Sequence, residues 1–294
     1  MCIPQKSITF APNFTAMKRT STLICALFWA MSMFALDANL QIFYDFGSLG
    51  TACANQRTNR VTTTVELFHP DAWGSTFLFV DFDYSVNNQD PARTPFGAYW
   101  EIARCLNFWQ QSKAKDLSLH VEYNGGFGSY MTDQLIGFPI NHAALVGAEY
   151  FLHTADFKNT FSLELLFKYI ADDFNMWQRK VNGEWINQSG NLVPLQFTFV
   201  WACNDFCTAP GLTFSGFIDL WGQKMSLYDR KNDTYTDPTK QSFVFLSEPQ
   251  LWYSIGQWFK CPGLCIGTEV EFSYNFGGAG FMVNPCVGIK WKFL

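Results

Sequence analysis

The sequence predicts an all-β fold, a closed antiparallel transmembrane barrel of about twelve strands, on three observations. The chain is rich in aromatic residues and poor in charge, 18% against 15%, where soluble proteins carry about a quarter charged residues. Beyond the N-terminus no stretch approaches the roughly 18 unbroken apolar residues of a spanning helix. Apolar residues instead recur at every second position, in segments separated by connections that alternate between long and short. In such strands the lipid-facing residues never accumulate into a hydropathy peak, so mean hydropathy stays near zero. A soluble β-sandwich or ligand-binding barrel shares the composition but has no reason to segregate its long loops to one rim.

Residues 1–38 read as an over-long N-terminus plus signal peptide, and 39–294 as a single outer-membrane barrel domain. Met17-Lys18-Arg19 supplies a charged region, Leu23 to Leu36 an apolar run, and Ala38 (less neatly Ala35) a small residue for cleavage. The expected location is the bacterial outer membrane. The mild net charge of -5 gives no reason to invoke nucleic acid. Of the nine cysteines, Cys2 and Cys25 leave with the leader. Cys203/Cys207 and Cys261/Cys265 have C-x3-C spacing, which is loose for zinc; local disulfides or unpaired thiols fit better. No metal or cofactor is expected.

Period-two segments fall at Leu40–Phe46, Val61–Phe68, Ser75–Tyr84, Ala98–Phe108, Leu117–Asn124, His142–His153, Asn159–Ile170, Leu195–Asn204, Leu212–Gly222, Ser242–Ile255, Ile266–Phe276 and Met282–Phe293. An even count returns both termini to the periplasm. The outer connections Gly47–Arg60, Ser85–Gly97, Gly125–Asn141, Ala171–Pro194 and Gln223–Gln241 are long and polar; Gly277–Phe281 breaks the pattern. The inner connections His69–Gly74, Trp109–Asp116, Thr154–Lys158, Asp205–Gly211 and Gly256–Cys265 are short.

Alternation assigns faces. Leu117, Leu119, Val121 and Tyr123 share one side of their strand, and Ser118, His120, Glu122 and Asn124 the other. A charge on the lipid side at mid-depth costs roughly 2–4 kcal/mol, so the polar sets point inward. The candidate lumen residues are then Phe77, Phe79, Asp81, Asp83, Glu101, Glu122, Glu149, Glu164, Lys168, Asp219, Glu248, Trp252, Glu269, Glu271 and Lys290, with Glu66, Gln250 and Lys292 beside them. Arg104 is out of phase with Glu101 unless a bulge intervenes. Tyr84, Trp100, Trp221, Tyr253 and Trp291 suit the interfacial girdles. The ending Gly288-Ile289-Lys290-Trp291-Lys292-Phe293-Leu294 resembles the C-terminal signal read by the barrel-assembly machinery, with one Leu after the aromatic.

Val61–Tyr84 (VTTTVELFHPDAWGSTFLFVDFDY), Ala98–Leu106 (AYWEIARCL) and the Phe-rich strands after them resemble the Tsx-like nucleoside-specific channels. The closer likeness is to a branch opened by a strand like Asn39–Gly47 (NLQIFYDFG). The resemblance implies a monomeric twelve-stranded barrel passing nucleosides by facilitated diffusion, with aromatic and ionisable side chains contacting base and ribose. The residues themselves fit a narrow channel for a small polar solute, in which aromatic faces stack and carboxylates bond hydroxyls. They also fit a plugged structural or adhesin-type barrel whose charges satisfy one another. Catalysis is not expected. An outer-membrane lipase needs Ser beside His, yet His69 and His153 fall at inner turns, His120 points inward and His142 starts a strand at the outer end.

Overall fold

The computed structural model describes residues 37–47, 59–85, 97–131, 135–171, 178–181, 184–187, 189–225, 228–229, 234–235, 241–276 and 280–293. The signal peptide expected over residues 1–38 lies almost wholly outside them; Asp37 and Ala38 already belong to the first strand. The strands are β1 (Asp37–Asp45), β2 (Arg60–Asp71), β3 (Gly74–Ser85), β4 (Gly97–Leu106), β5 (Leu117–Met131), β6 (Leu135–His153) and β7 (Asn159–Ile170). They continue with β8 (Gln178–Val181), β9 (Glu184–Asn187), β10 (Ser189–Asn204), β11 (Leu212–Met225), β12 (Tyr228–Asp229) and β13 (Thr234–Tyr235). The chain ends with β14 (Gln241–Ser247), β15 (Gln250–Ser254), β16 (Leu264–Tyr274) and β17 (Phe281–Lys292).

Thirteen of these form one sheet, and it closes on itself: β1 pairs with both β2 and β17, and β10 with both β7 and β11. Every ladder in it is antiparallel. β14 and β15 keep a single register against β11 and β16 across Glu248-Pro249. Proline has no N–H to give the ladder, but Glu248 N–H still donates to the Phe217 carbonyl at 3.3 Å and the Pro249 carbonyl accepts from Val270 N–H at 3.1 Å, so the wall continues. The barrel is therefore twelve-stranded. Closure leaves no open sheet edge in the hydrocarbon, where an unpaired backbone group costs several kcal/mol.

The outward rows are apolar and accessible: Leu165, Phe167 and Tyr169 on β7, Val146 and Tyr150 on β6, Ile266 on β16, Val287, Ile289 and Trp291 on β17. Aromatic rings gather at the short-turn end, where Trp73, Phe108, Phe157, Trp258 and Phe259 are the most exposed. Such rings sit well at the headgroup level. Tyr84, Tyr253 and Trp291 do face outward as the sequence suggested, and Trp100 leans on Phe127 and His142. Trp221 does not. It is buried on the inner face opposite Gln196, because one residue of phase separates a girdle position from a lumen position.

Two sequence expectations need correction. Gly125–Asn141 is not a plain loop: β5 and β6 stay paired through Met131 and Leu135, past a register shift between Asn124 and Gly126. Its glycines hid the strand from a periodicity reading, and they are there for space. A Cβ on Gly126 would run into the Ala98 carbonyl. The long connections after β7 and β11 likewise carry the small pairs β8–β9 and β12–β13. The C-x3-C thiols Cys203, Cys207, Cys261 and Cys265 are all free, the second of the two alternatives their spacing left open.

Three aromatic rings rest on cross-strand glycines. Phe43 lies opposite Gly288, Trp252 opposite Gly267 and Trp201 opposite Gly216. A Cβ on Gly288 would stand 2.6 Å from Phe43 Cδ1, and one on Gly216 2.8 Å from Trp201 Cζ2. The ring covers backbone that glycine leaves bare, and any side chain there would displace it.

The short turns are tied by ions. Lys158 Nζ donates to Asp205 Oδ2 at 2.6 Å, and Gly211 N–H donates to Asp205 Oδ1 at 2.9 Å. The Lys158 hydrogen bond comes first in holding the Asp205 carboxyl below its ordinary 3.8, and Asp205 raises Lys158 above 10.5. A carboxyl depressed in the folded protein contributes stability above its unfolded value and loses it as pH falls through the folded value. The stability difference between wild type and Asp205→Asn, measured by urea unfolding, is therefore expected to persist at pH 5–8 and to narrow below about 3.8. A difference unchanged at low pH would show that the pair contributes nothing. Arg104 makes the equivalent tie between turns. It faces outward with no bulge in β4, donating to Thr76 Oγ1 and Asp71 Oδ1, both at 2.9 Å.

Candidate functional site

The inner wall is built by the alternate positions of each strand. On β3 these are Phe77, Phe79, Asp81 and Asp83, opposite Ala103, Glu101, Tyr99 and Gly97 of β4. Phe77, Phe79 and Tyr99 form a run of tilted rings with centroids 6.0 Å apart at each step. Thr64 Oγ1 donates to Asp81, Thr62 Oγ1 to Asp83 at 2.6 Å, and Tyr99 OH to Glu101 Oε1 at 2.7 Å. Above them Arg60 bridges Asp45 (3.2 Å) and Asp83 (3.0 Å).

The next sector carries Glu122, Glu149, Glu164, Lys168 and Asp219. His120 Nε2 contacts Glu122 Oε2 at 2.9 Å, and Ser162 Oγ donates to Glu149 Oε1 at 2.7 Å. Glu149 and Glu164 stand directly opposite one another on β6 and β7. Lys168 Nζ donates to Gln196 Oε1 at 2.6 Å and lies 4.2 Å above the centre of the Trp221 ring. Thr198 Oγ1 donates to Asp219. Leu145 and Leu166 pack between these polar groups with Ala143 and Ile170, an apolar patch facing the barrel interior.

The third sector holds Glu248, Gln250, Trp252, Glu269, Glu271 and Lys290. Gln250 is its hub: its Nε2 donates to Glu269 Oε2 at 2.6 Å, and its Oε1 accepts from Trp252 Nε1 at 2.7 Å and Lys290 Nζ at 3.5 Å. Lys290 also lies 4.4 Å over the Trp252 ring, which in turn meets Phe43 at 5.4 Å. Asn284 Nδ2 donates to Glu271 Oε1 at 2.8 Å, and Asn39 Nδ2 to Glu66 Oε1 at 2.9 Å. Glu248 is half-buried beside the proline break. Lys292 faces Asn39 across the β17–β1 ladder.

All the candidate residues thus lie on inner-face positions. Sequence reasoning missed Phe43, Asp45, Arg60, Tyr99, Trp221 and Asn284, which the structure adds to the same face. The alternation through Gln41 would have found Phe43 and Asp45, and the alternation back from Lys290 along the same strand would have found Asn284. Among the described residues, inward carboxylates outnumber the inward cations Arg60, Lys168, Lys290 and Lys292 by about three to one. The wall is acidic, hydrogen-bonded and studded with aromatic rings.

A closed barrel with apolar outside and polar inside is the architecture of bacterial outer-membrane proteins, and this chain is one of them. It belongs to the family described as a domain of unknown function, DUF5020, whose model matches residues 37–293. No curated protein matches it. Solved structures similar to it include the NanC porin (TM-score 0.47, 10% identity, covering 87% of this chain and 100% of that one). Others are the translocator domain of the autotransporter NalP from Neisseria meningitidis (0.41, 10%, 95% and 98%) and outer membrane phospholipase A from Escherichia coli (0.42, 14%, 89% and 100%).

Proposed function

We propose that the chain is a narrow, non-enzymatic channel for facilitated diffusion of small polar solutes, with a preference for neutral or cationic ones. It acts as a monomer and is inserted through its C-terminal strand. The observation that carries this reading is the acidic excess on the inner face. Repeated weak sites along such a wall let a solute enter and leave, and unshared carboxylates repel anions. Nucleosides are the finer proposal. The Phe77–Phe79–Tyr99 run offers π faces to a flat base, and Asp81, Asp83 and Glu101 sit beside it to take ribose hydroxyls. Liposome swelling with nucleosides, sugars and amino acids tests both levels. Nucleosides are expected to enter faster than sugars of similar size, with Phe79→Ala or Glu271→Gln changing the ratio. Equal rates for all solutes would remove the nucleoside proposal, and swelling by anionic amino acids as fast as by cationic ones would remove the charge preference.

One observation favours a plugged barrel instead. Trp252, Leu166, Ser273 and Asn284 point inward yet are 2% exposed or less, so parts of the interior are filled. Absence of any solute-dependent swelling by the folded protein would decide for this second reading.

A further inference from the structure

Three donor side chains meet on the inner wall in a way that neither a solute path nor a hydrogen-bonded plug requires. His120 and Glu122 project from β5 at successive inward positions, and Glu164 reaches them from β7. His120 Nε2 is 2.9 Å from Glu122 Oε2 and its Nδ1 is 3.7 Å from Glu164 Oε2. One donor atom from each of the three residues can be chosen so that all lie within 4.8 Å of one another. A single ion takes one imidazole nitrogen, so the nitrogen facing one carboxylate would form the first bonds and the other carboxylate would turn in to complete a shell at the roughly 2.0–2.2 Å of metal–imidazole and metal–carboxylate bonds. Residue 147, opposite His120, is glycine, so no side chain crowds the imidazole from that strand. The thiol of Cys105 lies 3.5 Å from His120 Nδ1.

Charge points the same way. Glu122, Glu149 and Glu164 are all nearly buried, and Glu149 and Glu164 form a like-charged cross-strand pair. Like charges directly opposite destabilise a sheet, and buried carboxylates need a counter-ion. Among the described residues His120 is the one basic side chain in contact with this group of carboxyls. The ammonium of Lys168, on the same β7 as Glu164, is directed to Gln196 and the Trp221 ring. One inward step further along β5, Asn124 is 3% exposed and its Oδ1 has no hydrogen-bond partner among the described residues.

We propose that His120, Glu122 and Glu164 bind one divalent transition-metal ion in the barrel wall. One imidazole with two carboxylates suits borderline ions such as Zn2+ better than Ca2+, which takes six to eight oxygens. The site needs only the folded barrel and stands whether or not solutes pass.

The test is calorimetric titration of the full chain, folded in detergent and freed of metal by chelation, with ZnCl2 and in parallel with CaCl2. Wild type is expected to bind one equivalent of Zn2+ and to unfold at higher temperature when loaded. Glu164→Gln, which preserves volume, and His120→Ala are each expected to weaken binding roughly tenfold or more. His153→Ala, on a periplasmic turn, is expected to leave it unchanged. Heat-modifiable migration on a gel shows which variants are folded, and the wild-type titration decides even if one is not. No saturable Zn2+ binding by wild type, Zn2+ binding by folded Glu164→Gln equal to wild type, or Ca2+ binding as tight as Zn2+ would each overturn the assignment.

Discussion

Leu165→Arg is expected to lower the free energy of unfolding in lipid vesicles by about 2–4 kcal/mol. Leu165 sits at the middle of β7, 60% exposed, with Ala148 and Phe197 as its cross-strand neighbours. If that exposure is to hydrocarbon, a guanidinium there must snorkel or thin the bilayer around it. The same change at Phe157, on a short turn at 57% exposure, places the charge at the headgroup level, where the cost falls to about 0–1 kcal/mol. The contrast between two residues of equal exposure isolates depth from burial. On a water-facing surface both substitutions would stay within about 0.5 kcal/mol, so equal small effects would refute the membrane-spanning orientation. Reversible urea unfolding of both variants in vesicles supplies the comparison.

That orientation was the most legible part of the sequence. A sheet with lipid on one side and ions on the other must alternate at every residue, and a one-residue slip would place Asp81 and Asp83 in hydrocarbon. Phase therefore carried over correctly to Phe77, Phe79, Glu122, Glu269 and the other inner residues. It failed at Trp221 because an aromatic near a strand end fits both girdle and lumen, and only the register against Gln196 separates them. It failed at Gly125–Asn141 because glycine carries no periodic signal. Contacts between strands distant in sequence were out of reach altogether. Alternation puts His120 and Glu164 on the inner face but says nothing about which of the neighbouring acids each meets; that depends on the stagger between β5, β6 and β7.

The interior combines two tendencies that pull against each other. Apolar groups such as Phe43, Trp252, Cys265 and Cys286 pack together inside the barrel as they would in a soluble core. Polar groups are arranged around them so that one amide serves several partners, Gln250 being the plainest case. A wall of this kind is rigid where it is packed and permeable only where carboxylates are left facing water. In the channel reading the ring run of β3 and β4, with Phe79 at its centre, lines the solute path, while the Trp252 ring is packed into the wall.

The largest loss from a single polar substitution is expected at Arg60. Its guanidinium holds Asp45 and Asp83 together, tying β1, β2 and β3 at the outer end of the barrel. The Asp45 side chain is 3% exposed and that of Arg60 22%. Removing one member of a buried pair costs about 3–5 kcal/mol because the other charge stays in a poor solvent; with Arg60 partly open to water, about 2–4 kcal/mol is expected for Arg60→Met. Methionine keeps most of the apolar stem, so the loss reports the charge and not the packing. Asp45→Asn in the same chain removes the carboxylate that has lost its cation, and the double variant is expected to recover at least 1 kcal/mol relative to the sum of the single changes, within the range seen for residues in contact. Strict additivity, or a loss under about 0.5 kcal/mol for Arg60→Met, would mean that water or a neighbouring donor already neutralises Asp45 and that the three-strand tie is ornamental to stability. Urea unfolding of the four members of the cycle at one ionic strength gives the coupling directly.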